Sequence, residues 1–157
     1  MSKKLKDLQD GEQVPSGQYD DRFTAFFVPG FERLYDFKTL IEVKVFLYLA
    51  NEVHFGSGRV HVTPAVKKRI ISRLDISDVS LRSSLKSLVK NNVITNVVEF
   101  DKMSGDGIPD KYEYMLNPLM VWRGEPSRRF NAIKQFEGMV DYKRLRESRL
   151  ASGGDGK

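Results

Sequence analysis

An α+β fold is predicted for this chain by three observations between Val62 and Asn117. Two short stretches carry apolar residues at helical spacing: Val66, Ile70, Ile71 and Leu74 in one, and Leu81, Leu85, Leu88 and Val89 in the other. Asp75-Ile76 makes a tight turn between them. Two strand-like runs follow, Val93 to Phe100 and Lys111 to Leu116, on either side of the glycine-rich Ser104-Gly105-Asp106-Gly107. Helix, turn, helix and ribbon in that order make a winged helix–turn–helix, which lays its second helix in the DNA major groove.

The elements are justified in turn. Residues 1–21 are polar, mixed in charge and broken by Gly11, Pro15 and Gly17, the composition of a disordered arm. Phe23 to Val28 reads as a strand ended by Pro29-Gly30. Phe31, Leu34, Tyr35, Leu40, Val43, Phe46, Leu47 and Leu49 predict a core helix from Glu32 to Glu52, with a break near Asp36. Phe55 to Gly58 is a turn, and Arg59 to Val62 alternates as a short strand. Thr63 caps the next helix and Pro64 opens it, where a missing N–H costs nothing. Ser77 caps the second helix, and Asn91-Asn92 ends it because both tolerate the left-handed conformation.

Asn117-Pro118 ends the ribbon, since proline has no N–H for a ladder, and Trp122 to Pro126 reads as a loop. Ser127 caps a last helix with Phe130, Ile133, Phe136 and Val140 inward, turning basic at Lys143, Arg144, Arg146 and Arg149. Two coverings suit that apolar stripe: folding back beside the core helix, or pairing with the same helix of a second copy. Arg128 and Arg129 stand in its first turn, where positive charge opposes the helix dipole by about 0.3–1 kcal/mol, which points to an outside anion. The expected organisation is an arm at 1–21, a winged-helix domain at 22–125, a C-terminal helix at 126–150 and a disordered tail at 151–157.

Charge and composition narrow the function. The 157 residues carry 26 Lys and Arg against 21 Asp and Glu, a formal charge of +5. Between Arg59 and Phe100 stand eight basic and three acidic side chains, so the helix pair alone holds a surplus equal to the whole chain's. A polyanion-binding surface requires such concentration. Cysteine is absent, which excludes disulfides and thiolate metal sites and suits a reducing cytoplasm. Neither a signal-peptide core nor an apolar membrane span is visible, so a cytoplasmic protein without membrane contact is expected.

Enzyme signatures are missing. His54 and His61 are the only histidines, not a paired metal site beside a tyrosine nucleophile, and no GxxxxGK[ST] phosphate loop occurs. Asp101 to Asp110 superficially resembles a calcium loop, but Met103, Gly105 and Tyr112 stand where ligands belong. No catalytic residue, metal or cofactor is assigned.

Double-stranded DNA is the expected partner. With Leu85 as origin on the second helix, Leu81, Leu88 and Val89 fall within about 60° and form the buried stripe. Ser83, Ser87 and Lys90 lie opposite, with Val79, Ser80 and Lys86 beside them and Arg82 on a flank. Small groups let a helix approach base edges, and Lys86 or Arg82 can reach guanine O6 and N7. Lys67, Lys68 and Arg69 on the first helix suit phosphate positioning. Thr63 and Ser77 mark helix N-termini that can also bind phosphate, and Lys102 and Lys111 are the plausible wing contacts.

The run Tyr114-Met115-Leu116-Asn117-Pro118, followed by Trp122-Arg123-Gly124 and a closing helix with Phe130 and Phe136, resembles the RepL-like plasmid replication proteins. The resemblance covers roughly Phe23 to Phe136. It implies a bacterial replication initiator that binds repeats at a plasmid origin without nicking chemistry. It leaves homodimer formation and recruitment of host replication proteins open. A winged-helix regulator of transcription or copy number shares the same features, and a winged helix used only for protein docking is a third reading.

Overall fold

The computed structural model describes residues 24–97 and 110–153. The fold is α+β. Among the described residues the elements are β1 (Ala25–Phe26), α1 (Val28–Leu34), α2 (Leu40–Glu52), β2 (Arg59–His61), α3 (Pro64–Leu74), α4 (Asp78–Lys90), β3 (Ile94–Asn96), β4 (Glu113–Leu116), β5 (Val121–Trp122) and α5 (Pro126–Ser152). The expected arm at 1–21, the ribbon tip with Lys102, and the last four residues of the expected tail lie outside the described residues.

Local chemistry sets the boundaries of the helix pair. Thr63 Oγ1 accepts from the Val66 N–H at 3.3 Å, and Pro64 opens α3. Asp75 takes a left-handed φ of 51°, and its N–H returns to the Ile71 carbonyl. Ser77 Oγ then accepts from the Ser80 N–H at 3.0 Å and starts α4. At the far end Asn92, with φ 55°, takes the left-handed turn, whereas Asn91 does not.

Strand pairing locks this pair onto a sheet. β2, β4 and β3 form a three-stranded antiparallel sheet in that order, with Val60 opposite Tyr114 and Ile94 opposite Leu116. Val45, Phe46 and Leu49 of α2, Ile70 of α3, Leu81, Leu85 and Leu88 of α4, and Ile94 and Leu116 share one core. The alternate faces of three helices and the sheet thus meet in a single apolar layer.

The amino-terminal reading needs correction. Pro29-Gly30 does not end a strand. β1 is only two residues long, and α1 starts at Val28 with proline in its first turn, where proline is tolerated. Gly30 lies so close to the chain that an added Cβ would stand 2.6 Å from Met120 Cα. The core helix has its break where expected, near Asp36 between Leu34 and Leu40, but its first part begins at Val28 rather than Glu32. Thr39 Oγ1 accepts from the Glu42 N–H at 3.2 Å and Glu42 Oε2 from the Lys38 N–H at 2.9 Å, fixing the start of α2.

The carboxy-terminal reading changes too. Trp122 is not in a loop; it pairs with Ala25 in a second antiparallel sheet of β1 and β5. Ser127 does not cap α5, which begins at Pro126 behind Glu125 without a side-chain cap bond. The helix runs on to Ser152, so Ala151 and Ser152 are helical rather than tail. Its stripe is covered by folding back, against the strands rather than the core helix: Ala132, Phe136 and Met139 pack with Val97, Met115 and Trp122 in a second core cluster. Phe130, expected inward, is 70% exposed, because it lies about 120° round the helix from Phe136. Arg129 has partners within the chain. Its Nε donates to the Pro118 carbonyl at 2.8 Å and its guanidinium sits 3.5 Å above the Phe27 ring, and burial lowers its pKa.

Candidate nucleic-acid interface

On α4 the buried stripe of Leu81, Leu85 and Leu88 fixes what faces outward. Val79, Arg82, Ser83, Lys86 and Lys90 are exposed together. The serines divide. Ser83 is exposed, Ser80 and Ser87 are half-buried, and Ser84 is buried in the helix packing. Ser80 also accepts a 2.9 Å hydrogen bond from the Ser77 hydroxyl, which ties both to the helix start. The outward face is therefore more cationic and less serine-rich than a helical wheel suggests.

Arg82 is held by Asp78 at 2.6 Å, one turn earlier on the same surface. An exposed i,i+4 pair is worth only about 0.3–0.5 kcal/mol, less than the roughly 1–3 kcal/mol of a bidentate base contact, so it is easily exchanged. Lys86 and Lys90 form no ion pair among the described residues.

These side chains border a groove of about 440 Å³ lined by Lys67, Arg82, Lys86, Lys90 and Lys143, with Leu85, Val89, Tyr114 and Glu147. Lys67, Arg82, Lys86 and Lys90 are thus brought together. Lys143, from the C-terminal helix, was not among the expected contacts; its Nζ donates to the Val89 carbonyl at 3.3 Å. The signal for it was the basic run after Asp141. Burial raises the Tyr114 phenol pKa, and a hydrogen bond with Asn96 only partly opposes this, so the hydroxyl keeps its proton.

Other expected contacts are placed apart. Arg69 lines a different groove, between α2 and α3, with Lys44 and Arg73. Lys68 is exposed on α3. Lys111 is exposed, its Nζ 5.0 Å from the Tyr112 ring centre. Thr63 and Ser77 are engaged as caps.

The histidines are closer than their sequence positions indicate. His54 and His61 rings lie 5.1 Å apart, and His61 Nε2 is 3.2 Å from Asp110 Oδ2. Among the described residues no group of three or more such side chains is arranged to hold a metal ion. Nor, among them, is any helix long and apolar enough to cross a membrane.

The residues that carried the family resemblance have structural partners. Buried Asn117 donates from Nδ2 to the Asn92 carbonyl at 3.0 Å and accepts from the Leu119 N–H at 3.0 Å. Trp122 Nε1 donates to the Glu125 carbonyl at 3.1 Å. Arg123 reaches Thr24 Oγ1 at 3.0 Å and the Val53 carbonyl at 3.2 Å. Gly124, with φ 138°, allows an approach in which a Cβ would stand 2.8 Å from the Gly56 nitrogen. Set against protein-family models, curated proteins and solved structures, the chain matches none of them.

Proposed function

We propose that this chain is a winged-helix protein that binds double-stranded DNA sequence-specifically, with α4 entering the major groove. One observation carries the reading. The outward face of α4 presents Lys86 and Lys90, with Arg82 on its flank, and among the described residues neither lysine forms an ion pair. The setting supports it: strand, helix pair and returning strands follow as β2, α3, α4, β3 and β4, with β4 central in the sheet. Lys67 supplies a positioning contact to the backbone and Lys86 or Arg82 the base contact.

The narrower proposal is a plasmid replication initiator that acts on origin repeats without cutting DNA. It draws on the resemblance at Asn117-Pro118 and Trp122-Arg123-Gly124. The test begins with selection of bound sequences from a random duplex pool, followed by affinity against salt. Phosphate contacts from Lys67, Lys90 and whichever of Arg82 and Lys86 does not read a base give a slope of log K against log salt of about −2.7. A slope shallower than about −2, or no enriched sequence, refutes the DNA reading. Selected sites that recur as direct repeats beside the gene support the initiator; a single site over a promoter refutes it in favour of a regulator.

A further inference from the structure

The stripe that docks α5 does not end with the core. Ala132, Phe136 and Met139 are buried, and Val140 packs against them. At about 100° per residue, Lys143 and Glu147 fall within about 20° of the line through Phe136. The core-facing side of the helix therefore continues as charge beyond Val140, and it continues facing α4. Lys143 and Glu147 line the groove on one side; Lys67, Arg82, Lys86 and Lys90 line it on the other.

Five cations thus converge on a concave surface that holds one carboxylate, and among them Arg82 alone has an ion-pair partner among the described residues. Like charges gathered round a groove repel one another until an anion lies between them. A helix seated in the major groove has a phosphate strand running alongside it. Tyr114 adds a hydroxyl to the lining.

We infer that the groove between α4 and the distal half of α5 seats one phosphodiester strand of the duplex. Lys143 holds it from the side opposite Lys86 and Lys90, and Glu147 weakens the hold. The inference rests on the DNA-binding reading above and adds a second element to the footprint. α4 reads bases, and α5 grips the backbone without regard to sequence.

Full-length protein and its variants are titrated against the selected duplex and a random duplex by fluorescence anisotropy across a salt series. One phosphate contact contributes a slope of about −0.9, equivalent at 0.1 M salt to about eightfold in affinity relative to 1 M. Lys143→Gln should weaken both duplexes by about that factor, flatten the slope by about 0.9, and leave their affinity ratio unchanged. Lys143→Arg should keep the wild-type slope, and Glu147→Gln should tighten both duplexes. The inference is overturned if wild-type protein binds duplex steeply with salt while Lys143→Gln leaves affinity and slope unaltered. It is also overturned if Lys143→Arg loses as much as Lys143→Gln, which would make the residue structural, or if Glu147→Gln fails to tighten binding. Absence of any wild-type binding at low salt overturns the DNA reading itself.

Discussion

Phe136 and Phe130 lie on the same helix, six positions apart, yet truncating them should have very unequal consequences for stability. Phe136 is 4% exposed and packs with Val97, Met115, Trp122, Ala132 and Met139. Its replacement by alanine removes a buried ring and leaves a cavity, at a cost of about 3–5 kcal/mol. For a domain of this size each kcal/mol lowers the melting temperature by about 2–4 °C, so a drop of about 6–20 °C is expected. Phe130 is 70% exposed, and Phe130→Ala should stay within about 0.5 kcal/mol. Urea unfolding followed by helix circular dichroism and by tryptophan fluorescence measures both. The single tryptophan, Trp122, sits in the cluster that Phe136 completes, so its emission reports docking of α5 directly. A Phe136→Ala cost below about 1 kcal/mol, or equal effects at the two positions, would refute the fold-back of α5.

Two further perturbations probe the joints. Gly30→Ala places a Cβ 2.6 Å from Met120 Cα and 2.8 Å from its carbonyl oxygen, backbone atoms that cannot swing aside. It should cost about 1–3 kcal/mol in a thermal melt, and an unchanged melting temperature would show that α1 does not pack on that turn. Asn117→Ala leaves the Asn92 carbonyl and the Leu119 N–H without their side-chain partner, for a loss of about 1–3 kcal/mol by urea titration. A loss under about 0.5 kcal/mol would mean that water replaces both bonds at no cost.

What was legible in the sequence is what local chemistry decides. Thr63-Pro64, Asp75 and Ser77 bound the helix pair because capping and left-handed closure depend on adjacent residues. The break before α2 was visible only as an irregularity near Asp36, although Thr39 and Glu42 spell its start. The pairing of β1 with β5 was not legible. Two-residue strands far apart in sequence have no periodicity to display, and Trp122 is followed by Arg123-Gly124-Glu125-Pro126, which resembles a loop. At the candidate site, Arg82, Lys86 and Lys90 were legible from helical spacing and Lys67 from its place behind Thr63-Pro64, whereas Lys143 was not. Its place beside α4 depends on where a separate helix docks, and no spacing within α4 encodes that. Ser84 shows the converse: a wheel cannot tell a small polar residue that faces solvent from one that lets neighbours pack closely.

The residues that most resemble the replication proteins contact chain rather than open surface, and this bears on how the groove is made. Asn117 joins the end of β4 to the turn after α4, through the Asn92 carbonyl and a backbone bond to the Val93 carbonyl at 2.9 Å. Arg123 ties the next segment to Thr24 and to the end of α2, and Gly124 passes against Gly56 where a side chain would collide. Trp122, held through Glu125, stands at the start of α5 and in the cluster on which that helix docks. Together these contacts fix the direction in which α5 leaves the core, and direction decides whether Lys143 arrives at Val89 or in solvent. The motif therefore contributes geometry instead of chemistry. In the proposed reading it sets the spacing between a base-reading helix and a backbone-gripping one, so a change at Arg123 or Gly124 should alter affinity for all duplexes through the position of α5 while leaving the bases read by α4 the same.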